Sequence, residues 1–466
     1  MTSTPGLTDA LPDDPAPRLA DAPTDDSAPT LTPAPKGPAS KGPSSTGPAA
    51  AGPASTAPPS PAPASPAPAS RRRLLPAWCS DPRVWRTEVL AGLVVALALI
   101  PEAISFSVIA GVDPAVGLTT SFTMAVTLAL VGGRRAMISA ATGAVALVTA
   151  PLNREHGFGY LVAGVILAGV LQIVLGALGV ARLMRFVPPV VMTGFVNALA
   201  ILIFVAQLPE LRHVPWAVYP LFAAGLALML LLPRLSRTVP APLVSLAVLT
   251  TLTVAAGIAV PTVGDKGALP SSLPAPGLPD VPFSPETLRI IAPYALAMAL
   301  VGLMESLMTA RLVDELTGTP SSKTRESMGQ GVANVVSGFL GGMGGCAMIG
   351  QTMINVKVSG ARTRVSTFLA GSFLMALCLA LGPVVSKIPM AALVAIMVMV
   401  SLTTFDWRSI APRTLRRLPV GESAVMVVTV AVVVATHNLA IGVVCGTCLT
   451  LLARRYGWWG AARRAA

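Results

Sequence analysis

Apolar runs such as "VLAGLVVALALIPEAISFSVIAGV" and "SAVMVVTVAVVVATHNLAIGVVCGTCLTLLA" dominate this chain beyond residue 85. Each is long enough to cross hydrocarbon, which takes roughly 20 apolar residues per helix. Soluble domains carry about a quarter charged residues; here the share is 12% of 466, against 53% hydrophobic. The chain therefore reads as an all-α polytopic membrane protein. The net charge of +12 would suggest nucleic acid in a soluble protein. Here the basic residues sit in short loops between apolar spans, without interleaved aromatics, so no nucleic-acid partner is expected.

Residues 1 to about 70 are mostly Pro, Ala, Ser, Thr and Gly. Such a segment cannot bury enough apolar area to offset its ordering entropy, and it reads as a disordered cytoplasmic tail. Fourteen membrane segments follow. The first seven lie near 88–111, 115–131, 136–152, 160–180, 187–208, 216–232 and 241–260. A Pro/Ser/Gly-rich loop covers 261–286. The second seven lie near 289–310, 327–342, 346–356, 365–386, 389–404, 421–436 and 438–453. A short basic tail, 456–466, closes the chain.

Charge tests that count. With the N-terminus inside, the inner loops hold Arg134, Arg135, Arg182, Arg185, Arg234, Arg237, Arg311, Lys323, Arg325, Lys357, Arg362, Arg364, Arg408, Arg413, Arg416 and Arg417. The outer loops keep only Arg154, Arg212, Lys266, Arg289 and Lys387. This asymmetry follows the positive-inside rule, and both termini then face the cytoplasm.

Two stretches echo one another. "RAMISAATGA" (135–144) and "CAMIGQTMIN" (346–355) each carry Ala-Met-Ile and then a small residue, Ser139 or Gly350. They are the third and tenth segments. Seven crossings separate them, an odd number, so they enter the membrane from opposite faces, as in a 7+7 inverted repeat. Both are short for a span: only eleven residues run from Cys346 to Val356. Short or broken segments at matching places in two halves are the sequence mark of a transporter binding site. With Met137-Ile138 and Met348-Ile349 extended, a half-helix would begin after each pair. Each helix start offers free N–H groups and about half a positive charge, an anion site that needs no lysine. Ser139, Ala140, Ala141, Thr142 and Gly143 would line one end, and Gly350, Gln351 and Thr352 the other.

Glu102 and Glu305 occupy similar places in spans one and eight. An ionisable residue inside a span is a functional candidate by default. Pro101 should kink span one. Thr309 lies one turn beyond Glu305, and a carboxylate with a hydroxyl at that spacing could ligate Na⁺; alternatively the carboxyl carries a proton. Arg311, Asp314 and Glu315 read as surface pairs or domain contacts. Asn197, Asn334 and Asn355 read as bonds across helices. Cys445 and Cys448 read as packing within a helix. His156, His213 and His437 fall in loops, and no metal cluster or phosphate-loop motif is visible. Neither an enzyme nor a cofactor is implied, only Na⁺ or H⁺ as coupling ion.

The stretches "IPEAISFSVIAGVDPAVGL", "MISAATGAVALVTAPL", "RFVPPVVMTGFVNALAILIFVAQLPEL", "DELTGTPSSKTRESMGQGVANVVSGFLGGMGGCAMIGQTMINVKVSGARTRVS" and "IPMAALVAIMVMVSLTTFDW" resemble, in order, the SulP sulfate permease family of inorganic anion transporters. The likeness covers 85–455. It implies a core domain (about 85–182 and 288–386) that slides with its anion against a gate domain (about 185–262 and 388–455). It implies a small inorganic anion such as sulfate or bicarbonate, symport with H⁺ or Na⁺, a homodimer through the gate, and a place in the cell membrane. It puts the anion between segments 3 and 10, and links an acid on segment 8, here Glu305, to the coupling cation. Two departures stand out. Gln351 replaces a basic residue common in relatives, which keeps a monovalent anion open. About a dozen residues follow Arg454, which suggests a form without the C-terminal STAS domain. The alternatives are an uncoupled channel or exchanger for chloride or dicarboxylates, and a nucleobase-type symporter of the same fold.

Overall fold

A computed structural model describes residues 82–179, 188–235, 241–411, 414, 420–436 and 439–455. The tails at 1–70 and 456–466, together with Arg182, Arg185, Arg237, Arg413, Arg416, Arg417 and His437, lie outside the described residues.

Fourteen helices lie among the described residues. The first seven are α1 (Pro82–Ala110), α2 (Pro114–Val131), α3 (Gly143–His156), α4 (Phe158–Ala177), α5 (Pro189–Gln207), α6 (Val218–Leu235) and α7 (Ala241–Ala255). The second seven are α8 (Pro285–Thr317), α9 (Lys323–Phe339), α10 (Ile349–Met353), α11 (Arg364–Val385), α12 (Met390–Thr404), α13 (Val420–Thr436) and α14 (Leu439–Arg455). Two short strands precede the third helix of each set: β1 (Ser139–Ala140) before α3 and β2 (Cys346–Ala347) before α10.

By length and composition, six helices can cross a membrane: α1, α2, α4, α5 with the 3₁₀ turn after it, α8 and α11. Shorter apolar helices fall within α6, α7, α12, α13 and α14. The rest have reasons to be short or polar. α3 and α10 are preceded by extended chain, and α9, "KTRESMGQGVANVVSGF", buries polar residues such as Gln330 and Asn334. α1 runs on through Pro101 without ending there. α8 overshoots the expected span at both ends. Ser284 caps its start by accepting from the Thr287 N–H, and Gly318, left-handed at φ 62°, ends it. Between Arg311 and Thr317 the chain is polar yet still helical, because the helix outlasts the apolar layer. His156, expected in a loop, lies in the last turn of α3.

The helices sort by packing. α1 lies against α2 and α11, α2 against α9 and α11, α4 against α8 and α9, and α3 against α1 and α8. Elsewhere α5 meets α12, α13 and α14, while α12 meets α6 and α7. Polar residues tie the first group across its helices. Asn334 on α9 donates to Gln172 on α4 at 2.8 Å, and Asn355 donates to the Ala136 carbonyl and the Ser366 hydroxyl. Asn197 on α5 donates to Ser409 and accepts from the Asp406 N–H beyond α12.

The crossing of α4 on α9 depends on glycine. A Cβ on Gly331 would sit 2.5 Å from the Gly169 carbonyl oxygen, and one on Gly169 would sit 2.6 Å from that of Gly331. Backbone meets backbone there, so neither side has a rotamer to yield. Gly331→Ala is expected to destabilise the protein by about 1–3 kcal/mol, the usual cost of overpacking. A melting curve in detergent checks this, and one that overlays the parent's would contradict it.

Candidate functional site

The third and tenth segments meet in the middle of the bundle. β1 and β2 pair antiparallel, Ser139 opposite Ala347 and Ala140 opposite Cys346. The Met348 N–H extends the pairing to the Ile138 carbonyl at 2.9 Å. The extended pieces therefore sit slightly off their expected places. Met348 is still extended but Ile349 is already helical. Antiparallel pairing sends the two following helices in opposite directions. Gly345 allows the approach, because a Cβ there would lie 2.1 Å from the Ala140 carbonyl oxygen. Ala136, just upstream, is non-glycine yet left-handed at φ 57°.

Each helix begins with free donors. In α3 the Ala146 N–H reaches the Thr142 carbonyl, and the Val145 N–H reaches the Thr142 side chain at 3.5 Å. That leaves Gly143 and Ala144 without an acceptor inside the helix. In α10 the first internal bond is Thr352 N–H to the Met348 carbonyl, and Met348 offers no side-chain cap. Ile349, Gly350 and Gln351 are thus free of intrahelical acceptors. After Met353 the helix widens into a π turn, Ile354–Val358.

Both helix starts open onto one cavity of about 220 Å³. Thr142, Gly143 and Ala144 line it from α3, and Ile349, Gly350 and Gln351 from α10. Glu102 of α1 and Glu305 of α8 are also on its wall. The facing wall comes from the second packing group, Phe195, Leu199 and Ile203 of α5 and Val400, Thr403 and Thr404 of α12, and is apolar but for the two threonines. The cavity thus lies on the seam between the two groups of helices.

The two acids touch different parts of the site. The Gln351 amide lies against the Glu102 carboxyl, and its own Oε1 is buried without a partner. Glu305 accepts from the Cys346 thiol at 2.9 Å, and Cys346 in turn meets the Thr142 hydroxyl at 3.1 Å. A chain of contacts thus joins α8, β2 and the N-cap of α3. Cys346 sits at that junction, and its sequence context marked it only as a small buried residue. The α5 and α12 wall was equally silent, since apolar positions in a span look alike.

Of the residues expected at the site, Thr142, Gly143, Gly350, Gln351, Glu102 and Glu305 share the cavity. Ser139 and Ala140 of β1, Ala141 just after it and Thr352 of α10 are buried and do not line it. Ser139 accepts from the Gln330 amide, and the Ala141 N–H donates to Ser121. The Thr352 hydroxyl bonds both the N–H and the carbonyl of Ile138. Thr309 does not turn its hydroxyl toward the Glu305 carboxylate; it donates to the Glu305 backbone carbonyl at 2.8 Å. Asp314 accepts from Arg134 and Lys323, while Arg311 and Glu315 form an exposed pair. Cys445 and Cys448 are unbridged, and no cluster of three metal-binding side chains occurs among the described residues.

Residues 85–222 and 212–429 match the Sulfate permease family. YbaR of Bacillus subtilis (strain 168) is 55% identical over 365 residues, which are 78% of this chain and 76% of YbaR. Bicarbonate transporter BicA of Picosynechococcus is 26% identical over 69% of this chain and 62% of its own length. Among solved structures, the transmembrane domain of a cyanobacterium bicarbonate transporter BicA superimposes with a TM-score of 0.67 at 21% identity, over 78% of this chain and 98% of that domain. The fold is therefore the multi-pass 7+7 inverted repeat, with broken segments at positions 3 and 10.

Proposed function

This chain belongs to the sulfate permease family, a family of transporters, and on that premise we propose that it is a secondary active transporter of inorganic anions of the sulfate or bicarbonate class. The observation that carries the reading is the shared cavity. Free N–H groups of α3 and α10 open onto one space walled by two carboxyls. Each helix start contributes partial positive charge, and the small residues Gly143 and Gly350 let an anion reach the backbone.

The carboxyls supply the argument for coupling. An anion entering beside Glu102 and Glu305 meets negative charge in a poorly screened space. Binding is favourable when a proton neutralises a carboxyl or when Na⁺ sits between it and the anion. Glu305 is the coupling residue in this reading, with Glu102 second. The Thr309 backbone-bonded hydroxyl is free to help only after it turns. Gln351 brings no fixed positive charge, which favours a monovalent anion such as bicarbonate over one that needs a lysine or arginine.

The motion follows from the seam. The anion-holding surfaces belong to α1, α3, α8 and α10, and the mostly apolar facing wall to α5 and α12. Sliding the first group along the second carries the site between faces, an elevator-like cycle of core against gate. The protein works in the cell membrane with both termini cytoplasmic, as the arginine-rich loops favour, and pairs as a homodimer through the gate.

Purified protein in proteoliposomes tests this with labelled sulfate, bicarbonate, chloride and succinate, with and without Na⁺ and pH gradients. Uptake of sulfate or bicarbonate that accelerates severalfold under one gradient is the expected result. Flux indifferent to both gradients would mean a channel or exchanger. Inhibition by uracil without anion flux would mean a nucleobase symporter.

A further inference from the structure

Three arginine-bearing loops, distant in sequence, converge at a place the transport cycle does not use. A cleft of about 570 Å³ is lined by Arg134 and Arg135 before β1, Arg325 in the first turn of α9, and Arg362 and Arg364 after α10. No acid is among its lining residues. It shares no lining residue with the cavity at the helix starts.

The partners of these arginines show how little of the charge is neutralised. Arg325 donates to the Val131 carbonyl. Arg362 donates to the carbonyls of Val356 and Ala361. Arg364 donates to those of Ala129, Leu130 and Gly132. These bonds use backbone oxygens at helix ends, whose partial negative charge holds the guanidinium groups in place and offsets only part of theirs. Arg135 is exposed and makes no hydrogen bond or ion pair among the described residues. Only Arg134 meets a carboxylate, Asp314 at 3.0 Å. It is 9% exposed, and its Nε is buried with no partner.

The nearby acids are already committed. Glu326 accepts from the N–H groups of Gly133 and Arg134. Glu88 accepts from those of Arg362, Thr363 and Ser366. Asp314 is shared with Lys323. Burial pulls the Arg134 guanidinium below its usual pKa; Asp314 opposes this, and repulsion from Arg135 and Arg362 adds to it. Like charges held together in a partly shielded cleft raise the energy of the empty state, and an anion relieves it.

We propose that this cleft is a second anion site, separate from the transport cavity, that binds a ligand of the diphosphate class. Planar guanidinium groups match phosphate oxygens two at a time, and several on one wall suit adjacent phosphates better than a single small anion. The Ser322 hydroxyl on the same lining accepts from the Arg325 N–H, and its own O–H supplies a further donor. The ligand is either a soluble diphosphate or the headgroup of a two-phosphate lipid. Either would clamp the chain leading into β1 to the chain leaving the π turn after α10. Asn355 already links these, by its bond to the Ala136 carbonyl. Occupancy therefore stiffens both broken segments from their far ends.

The test reads binding rather than flux, so it stands apart from the transport assay. The full chain in phosphatidylcholine nanodiscs is titrated with inorganic pyrophosphate by calorimetry and by melting. Saturable binding and a raised Tm are expected. Arg135→Gln, which breaks no bond of the fold, should weaken binding about tenfold, the weight of one charge-assisted contact. Gly350→Leu, in the other cavity, should leave it unchanged. In discs containing cardiolipin, undiminished pyrophosphate binding identifies a soluble ligand, and competition that Arg135→Gln relieves identifies the lipid headgroup. Absence of saturable binding in phosphatidylcholine, indifference to Arg135→Gln, or loss with Gly350→Leu would each overturn the proposal.

Discussion

Gly350→Leu is expected to reduce anion uptake at least about tenfold while leaving the protein as stable as the parent. A Cβ built on Gly350 meets nothing within 4 Å, so the new side chain enters open space rather than packed neighbours. That open space is the 220 Å³ cavity, and Gly350 lies on its wall. Four carbons placed over the start of α10 would stand between an anion and the free N–H groups there. Gly350 has no positive φ, and leucine favours a helix over glycine by up to about 1 kcal/mol. A fall in the melting temperature is therefore not expected. Gly350→Ala should give a milder loss. The comparison of uptake with Tm is what counts: full uptake by the leucine variant would place the anion elsewhere, and loss of both would make Gly350 a packing residue.

Glu305→Gln is expected to uncouple transport. Glutamine has nearly the same shape and can still accept from the Cys346 thiol, which now reaches the carboxylate at 2.9 Å. The link through Cys346 to Thr142 should survive, and with it the start of α3. An amide can neither release a proton nor bring negative charge to a cation. Accumulation driven by a Na⁺ or pH gradient should fall about tenfold or more, to near the level without a gradient. Exchange of anion at equal concentrations should persist. Glu102→Gln, which keeps its contact with Gln351, should have a smaller effect. Undiminished gradient-driven accumulation in Glu305→Gln would remove the carboxyl from the coupling step.

Much of this architecture is legible in the sequence because membranes simplify the rules. Hydrocarbon demands helices, and arginine counts give an expected side for each loop. Small residues after Ala-Met-Ile marked the two places where the chain would break, and β1 and β2 lie within two residues of the extended pieces read there. Other features were beyond reach for physical reasons. One-turn spacing placed Thr309 on the face of Glu305, but a threonine in a helix can equally satisfy itself on the carbonyl one turn back, and here it does. Cys346 gave no sign of bridging Glu305 and Thr142, because a cysteine in an apolar segment is usually packing. Phe195, Leu199 and Ile203 form the wall facing the site, yet their spacing says only that α5 is buried. The arginine cleft joins positions 134, 325 and 362, and no local pattern connects them. Orientation alone hinted at it, by assigning all three loops to one side.

Two opposed helix starts holding one anion is the claim on which the rest depends. The most direct measurement locates that anion by anomalous scattering from crystals soaked in selenate or in bromide, a divalent and a monovalent probe. A peak between the backbone N–H groups of Gly143–Ala144 and Gly350–Gln351, lost in Gly350→Leu, is the predicted result. A substrate-competable peak elsewhere, with that space left to water, would contradict the account.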